Sequence, residues 1–349
     1  MPPSTSSSSS PRILIVRLSA IGDVIHGVPV ACTLRRQFPD AFLAWAVESR
    51  AAAMLRGHEA IDELVELPRG WLKSLGGVMR LRRRLRELRF DVAVDLQALT
   101  KSALAARLSG AKRRIGFGGA ASREFSRLLN NDLVRAEAVH VIDRYLELLR
   151  PLGIESPGVE FRLPEHEPDR TAAEEIVRRA GLQDGFAIVN AGAGWPSKLW
   201  PAERYGSVAQ YMGRELGLPT LIVWGSPAER EEAERIAAAS EGHARPGPPT
   251  TLPQLAALAR RARLFIGSDT GPLHLAAAVG TPCVGLYGPW PAETNGPYGP
   301  RNISLQEMVY RGSTRGRRTA SPKYMEAIQA ESVCWACEQI IVRGGRNAA

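Results

Sequence analysis

The sequence predicts an α/β protein made of two doubly wound parallel halves, and three observations predict it. Short runs rich in Ile, Leu and Val recur along the chain, each followed by a stretch with helical spacing. That is the pattern of strands covered on both faces by crossover helices. The series breaks once, at "IESPGVEFRLPEHEPDR" (154–170), where the composition turns to proline and charge, and then resumes. Finally, 349 residues suffice for two domains, each with its own core.

"RILIVRL" (12–18) is the first strand, and "SAIGDVIHGVPVACTLRRQF" continues it as a helix. "AFLAWAVE" (41–48) and "LRFDVAVDLQ" (88–97) are further strands, separated by the amphipathic "GWLKSLGGVMRLRRRLRELR". "RRIGFGG" (113–119) is a short strand before a helix-rich region ending near "HVIDRYLELLRPLGI". After the linker come strands at 186–192, 219–225, 264–269 and 282–288, with helices at 203–215, 227–239 and 272–279. The first domain is placed at 12–160 and the second at 161–330. Residues 1–11, a Ser/Pro stretch without an apolar segment, are expected to be a disordered tail and not a signal peptide.

No run reaches the ~20 apolar residues of a membrane span, so the expected location is the cytoplasm. The net charge is +9, with arginine clusters at 80–89, 112–114 and 311–318. Such a balance favours anionic partners. Nucleic acid is not expected, because the clusters lack interleaved aromatics and the chain is only 6% aromatic. An anionic membrane surface fits the arginines better. Cys32, Cys283, Cys334 and Cys337 are too few for a disulfide framework. Cys334 and Cys337 have CxxC spacing without a second ligand pair, so neither a metal site nor a cofactor is expected.

In parallel sheets the loops at the carboxyl ends of the strands form the binding edge. The cleft between two such halves is the expected active site. In the second half this edge gathers "NAGAGWPSKLWP" with Gly194 and Lys198, "WGSPAERE" with Glu229, and "GSDTGPLH" with Asp269, Thr270, Gly271 and His274. Pro272 suits the first position of a helix whose unpaired amides and dipole attract a phosphate. Gly271 lets that phosphate approach the backbone, and Lys198 adds a mobile charge. The competing reading is a capped helix whose Asp and Thr satisfy only their own backbone.

In the first half "SAIGDVIH" follows the first strand without a GxGxxG pattern and puts Asp23 at a helix start. A carboxylate there repels phosphate but suits a general base; an ordinary N-cap is the alternative. Lys101, in "DLQALTKSA" at another strand end, is a candidate contact for an acidic acceptor, or a surface lysine.

Together "ILIVRLSAIGDVIHGVPV", "DLQALTKSA", "KLWP", "WGSPAERE" and "GSDTGPLHLAAAVGTPCVGLYGP" resemble the lipopolysaccharide heptosyltransferases of glycosyltransferase family 9, nearest the heptosyltransferase I branch. The resemblance implies a GT-B fold, two Rossmann-like domains about a central cleft, with a terminal helix (331–349) crossing back to the first domain. It implies an inverting transfer of heptose from ADP-L-glycero-D-manno-heptose to a Kdo residue of lipid A. It gives Asp23 as catalytic base, with Gly22, His26 and Lys101 on the acceptor side. Lys198, Gly194, Glu229, Asp269, Thr270, Gly271 and His274 fall on the donor side. A heptosyltransferase II-like enzyme, or a family member with another donor or acceptor, is the alternative. Work at the cytoplasmic face of the inner membrane, as a peripheral protein, is implied as well. The segment 311–332 lacks the cysteines that the family often carries there.

Overall fold

β1 (Arg12–Val16) sits inside a six-stranded parallel sheet because its Ile, Leu and Val side chains are buried on both faces. This is a computed structural model that describes residues 10–346 and divides after Pro164 into two units. The division falls inside the Pro-rich segment, a few residues beyond the expected boundary. The tail expected at 1–11 lies largely outside the described residues. Pro11 itself accepts a hydrogen bond from the Phe42 amide.

In the first unit β1 is followed by α1 (Ile21–Gln37), β2 (Phe42–Glu48), α2 (Ser49–Ala52), β3 (Glu63–Leu67) and α3 (Leu75–Glu87). Then come β4 (Val92–Asp95), α4 (Thr100–Leu108), β5 (Arg113–Phe117), α5 (Ser126–Leu129), β6 (Asp132–Val134) and α6 (Val141–Glu147). The strand order is β3-β2-β1-β4-β5-β6, all parallel.

The second unit opens with α7 (Glu167–Arg179), β7 (Ala187–Asn190), α8 (Ala202–Glu215), β8 (Thr220–Val223), α9 (Pro227–Ala239) and β9 (Ala244–Pro246). It continues with α10 (Leu252–Arg261), β10 (Leu264–Ser268), α11 (Gly271–Ala278), β11 (Cys283–Leu286), α12 (Ala292–Asn295) and β12 (Ile303–Leu305). α13 (Lys323–Glu326) and α14 (Ala330–Arg346) close it. Its sheet runs β12-β11-β10-β7-β8-β9, the same winding.

In each sheet the order reverses between the first and fourth strands, β1 beside β4 and β7 beside β10. There the following loops part to opposite faces and leave a crevice at the carboxyl ends, the switch point where doubly wound sheets take ligands. The first core packs Leu14, Val16, Ala44 and Ala93 against Trp71, Leu81 and Leu85. The second packs Val189, Ile222, Ile266 and Val284 against Tyr205, Val208 and Met212 of α8.

Val333, Ala336, Cys337 and Ile340 of the terminal helix α14 form an apolar stripe buried in the second unit's core, beside α8. Four strands, β3, β6, β9 and β12, were not foreseen, and they are the four sheet edges. Edge strands are covered on fewer sides, so they lack the continuous apolar run that marks inner strands. Their burial is correspondingly mixed.

Candidate active site

The switch point of the second sheet is built from the loops after β7 and β10. Asp269 follows β10 directly and is almost fully buried. Lys198, in a single 3-10 turn after β7, places Nζ 2.5 Å from Asp269 Oδ2 and 2.7 Å from the Asp269 backbone oxygen. From the other side His274 Nε2 lies 3.0 Å from Asp269 Oδ1, one helical turn into α11. Burial pushes the Asp269 carboxyl up, but the hydrogen bond to His274 and the charge of Lys198 outweigh it and hold the group below its ordinary range. The Lys198 ammonium also lies 4.2 Å from the centre of the Trp290 ring, a cation–π contact.

Thr270 is the N-cap of α11, in extended backbone, and its side chain makes no cap bond to the helix. Its Oγ1 instead accepts a 3.4 Å contact from Asn190 Nδ2, at the end of β7. The reading in which Thr270 merely caps its own backbone therefore fails. Gly271 is the first helical residue and Pro272 the second, one position later than the sequence suggested. The amides of Gly271 and Leu273 begin the helix, where N–H groups lack intrahelical partners and the dipole is positive.

Glu229 occupies the first turn of α9, where Ser226 caps the helix by accepting from the Glu229 amide at 3.3 Å. The Glu229 carboxylate reaches back to accept the Gly225 amide at 2.6 Å. Gly192, in the loop after β7, lies so close that a Cβ there would overlap the Glu229 carboxylate. That approach requires glycine and joins the β7 and β8 loops around one carboxylate. Gly194 is exposed with open space over it. The structure thus brings Lys198, Asp269, Thr270, Gly271 and His274 together, with Glu229 on the neighbouring loop.

In the first unit Asp23 lies in the opening turn of α1, which Ala20 caps, so Asp23 is not itself the N-cap. Its Oδ2 accepts the Ala20 amide at 3.2 Å and the Arg17 Nη2 at 2.6 Å. Both contacts fall on Oδ2, which leaves Oδ1 for a proton, and the side chain is 40% exposed. Arg17 is buried: Nη1 donates to the Leu96 oxygen at 3.2 Å and its guanidinium lies over the Tyr145 ring at 5.4 Å. Burial works against the Arg17 charge, but the Asp23 carboxylate bonded to it more than compensates and keeps it protonated.

Lys101, at the start of α4, is not a solitary surface lysine. Its Nζ donates to Glu48 Oε1 at 2.9 Å and to Ser19 Oγ at 3.1 Å, tying together the ends of β1, β2 and β4. Gly22 is partly exposed beside Asp23. His26 departs from expectation. It points inward, 4% exposed, with its ring 6.3 Å from that of His140, so it packs the helix and offers no surface to an acceptor.

Several residues of these edges were missed. Arg17 stands inside the apolar run "RILIVRL", where a charge in a buried strand end is a signal in itself. Glu48 and Asp95 end β2 and β4 in the same way. Trp290 sits in a Gly/Pro loop. Arg318 belongs to the 311–318 cluster: its guanidinium lies 4.5 Å from the Trp195 ring, and its backbone oxygen accepts from Ser197 Oγ at 3.2 Å. The 112–114 cluster is structural, Arg113 pairing with Asp132 at 2.6 Å and Arg114 donating to the Leu129 oxygen at 2.9 Å. Cys334 and Cys337 share one face of α14. Burial pushes the Cys334 thiol up to about 11 and Cys337 well above its usual value, so both are inert thiols. Among the described residues no three His, Cys, Asp or Glu side chains gather as a metal site.

The model of glycosyltransferase family 9 (heptosyltransferase) matches residues 78–325. The lipopolysaccharide heptosyltransferase 1 of Pseudomonas aeruginosa is 31% identical over 303 residues, 84% of this chain and 83% of that protein. Among solved structures, a family 9 glycosyl transferase from Veillonella parvula superimposes with a TM-score of 0.85 at 26% identity, over 97% of this chain and all of that one. The E. coli heptosyltransferase WaaC with ADP gives 0.76 at 24% identity, over 94% of this chain and 99% of that one. The same enzyme has been solved with ADP-2-deoxy-2-fluoro heptose.

Proposed function

Given that the chain belongs to glycosyltransferase family 9 and is a glycosyltransferase of the GT-B fold, we propose that it moves heptose from ADP-L-glycero-D-manno-heptose to a Kdo residue of lipid A. The anomeric configuration inverts. One observation carries the donor half: Lys198, Asp269 and His274 converge on the opening amides of α11 at a switch point. The P. aeruginosa relative is named a heptosyltransferase, and the WaaC structures hold ADP and an ADP-heptose analogue. Both support a donor of that class.

Departure of ADP leaves negative charge on the diphosphate and positive charge on the sugar. Lys198 and the Gly271 and Leu273 amides meet the first, as preorganised donors in a partly dry site. Asp269 is the wrong sign to meet a phosphate. It serves by holding Lys198 in place and by fixing the His274 ring beside the sugar or phosphate. Thr270 adds a hydroxyl, Glu229 contacts the ribose, and Gly194 leaves room for the nucleotide. The reading calls on no metal or organic cofactor.

Inversion by one displacement requires a base on the face of the anomeric carbon opposite the leaving group. Asp23 fits that part: it is held through Oδ2 by Arg17 and the Ala20 amide, and its carboxylate takes the acceptor hydroxyl's proton. Lys101 and Gly22 face the acceptor, whose carboxylates suit a lysine. Because that acceptor is borne on a lipid, the protein works as a peripheral enzyme at the cytoplasmic face of an anionic membrane. No described helix is long and apolar enough to cross one.

Asp23→Asn keeps the Ala20 hydrogen bond and removes the base. It should lower kcat by about 10²-fold or more while ADP binding, measured by calorimetry, stays unchanged. Parallel loss of nucleotide affinity would reduce Asp23 to a structural residue. A donor panel of ADP-heptose, ADP-glucose and UDP-sugars tests the substrate, and faster turnover of any other donor overturns the assignment.

A further inference from the structure

We propose that the carboxyl-end edge of the first sheet, from the 3-10 turn 71–73 through α3 to α5, lies directly on an anionic bilayer with apolar side chains in the headgroup layer. This rests on the transfer reading only in taking the acceptor to be lipid-borne. Leu75 is 79% exposed at the start of α3, with Leu72 and Met79 exposed beside it. Phe125 and Leu128 are 68% and 70% exposed in and before α5. Large apolar side chains left in water at this density mark an interaction surface.

The two groups belong to one edge. The turn 71–73 follows β3, and the α5 region follows β5, so both stand at the carboxyl ends of parallel strands. Helices α3, α4 and α5 pack in succession. The start of α4 is tied to the second group, the Thr100 amide donating to Glu124 at 2.8 Å and the Phe125 amide to Thr100 Oγ1 at 3.3 Å. Lys101, the next residue, is the candidate acceptor contact. The apolar groups therefore flank the place where a lipid-borne sugar is needed.

Charge selects the occupant. From Pro68 to Arg86 the chain has no acidic residue. Positions 75, 79, 82 and 86 recur at helical spacing, so Leu75 and Met79 share an exposed stripe of α3 with Arg82 and Arg86. Apolar residues at the edge, with arginines in the turns of α3 behind them, suit an edge whose apolar side chains enter the headgroup layer while the nearer arginines meet anionic headgroups.

The test is flotation of the full chain with phosphatidylcholine vesicles, with and without phosphatidylglycerol. The intact protein should float only with the anionic vesicles. Leu75→Glu with Met79→Glu should weaken partitioning at least about tenfold. Arg82→Glu should weaken it about fivefold, and this share should vanish in high salt. ADP affinity and turnover of ADP-heptose on a water-soluble Kdo acceptor should be unchanged in each variant, which also reports folding. Absence of flotation, or flotation unaffected by the Leu75 and Met79 changes, overturns the proposal. Failure of transfer with vesicle binding intact would remove the heptosyl reading and leave the surface standing.

Discussion

Lys198 grips Asp269 twice, Nζ bonding both the carboxylate at 2.5 Å and the backbone oxygen at 2.7 Å. Both side chains are buried, 13% and 8% exposed, so neither is compensated by water. Lys198→Ala should therefore cost about 3 kcal/mol of unfolding free energy and lower donor turnover by about 10²- to 10³-fold. The pH dependence has a definite sign. Asp269 is held below its ordinary range, so its stabilising share is present above the unfolded value, near ~3.9, and is lost as pH falls through the folded value. Urea titrations of the two proteins should differ at neutral pH, and the gap should begin to narrow only as pH falls below about 4.

Gly192 and Glu229 make a second, independent probe of the donor edge. An alanine methyl at 192 would overlap the Glu229 carboxylate. The backbone of that loop follows β7 and is buried, so the carboxylate must be the part that moves, breaking its 2.6 Å bond to the Gly225 amide. Gly192→Ala should raise the donor KM by roughly tenfold, equivalent to about 1.4 kcal/mol, with kcat little changed. An unchanged KM would show that Glu229 does not touch the nucleotide.

The eight inner strands were legible because each is covered on both faces, and an Ile/Leu/Val run can mean little else between turn signals. The edges β3, β6, β9 and β12 were not, since a strand such as β12, "ISL", is half in solvent and three residues long. Candidate residues at strand ends were legible for a related reason. Parallel topology sends all carboxyl-end loops to one edge, so spacing alone placed Lys198 near Asp269. The partners of each group were not legible. Nothing local says that Glu48, at the end of β2, meets Lys101, or that the arginine inside "RILIVRL" turns back to Asp23. His26 was misplaced because one helical position decides between the open start of α1 and its buried face. The apolar stripe of α14 was legible as a packing face, but nothing in it names α8 as the neighbour.

Arg17 offers a test of how Asp23 is held. Its guanidinium is fixed by the Leu96 oxygen and by Tyr145, and it meets Asp23 at 2.6 Å. Arg17→Met keeps length and apolar bulk and removes the fork. Since Asp23 is 40% exposed, water can take over its charge, and the stability loss should stay near about 1–2 kcal/mol. Turnover should suffer more, since a carboxylate free to rotate is seldom aimed: kcat should fall about tenfold or more with the acceptor KM nearly constant. Equal losses in kcat/KM for donor and acceptor, tracking the drop in Tm, would instead mark general loosening of the unit.

Asp95 gives the opposite pH signature to Asp269. It ends β4 fully buried, accepting the Gln97 amide at 3.0 Å, the Ala98 amide at 3.3 Å and Asn130 Nδ2 at 3.1 Å. Burial outweighs these bonds and raises its carboxyl above the ordinary range. A raised group contributes stability below its unfolded value, and that share is lost as pH rises through the folded value. Asp95→Asn removes the titration. Its Oδ1 can still accept both amides, and once the Asn130 amide turns over, its Nδ2 can donate to Asn130 Oδ1, which lacks a partner among the described residues. Arg17 keeps Asp23. The variant should thus match or trail the parent near pH 4 and gain on it as pH rises toward 8. The gain should run at about 1.4 kcal/mol for each tenfold fall in proton concentration, until the buried acid ionises. A gap that does not change with pH would place the ionised carboxylate, not the acid, as the stable folded form.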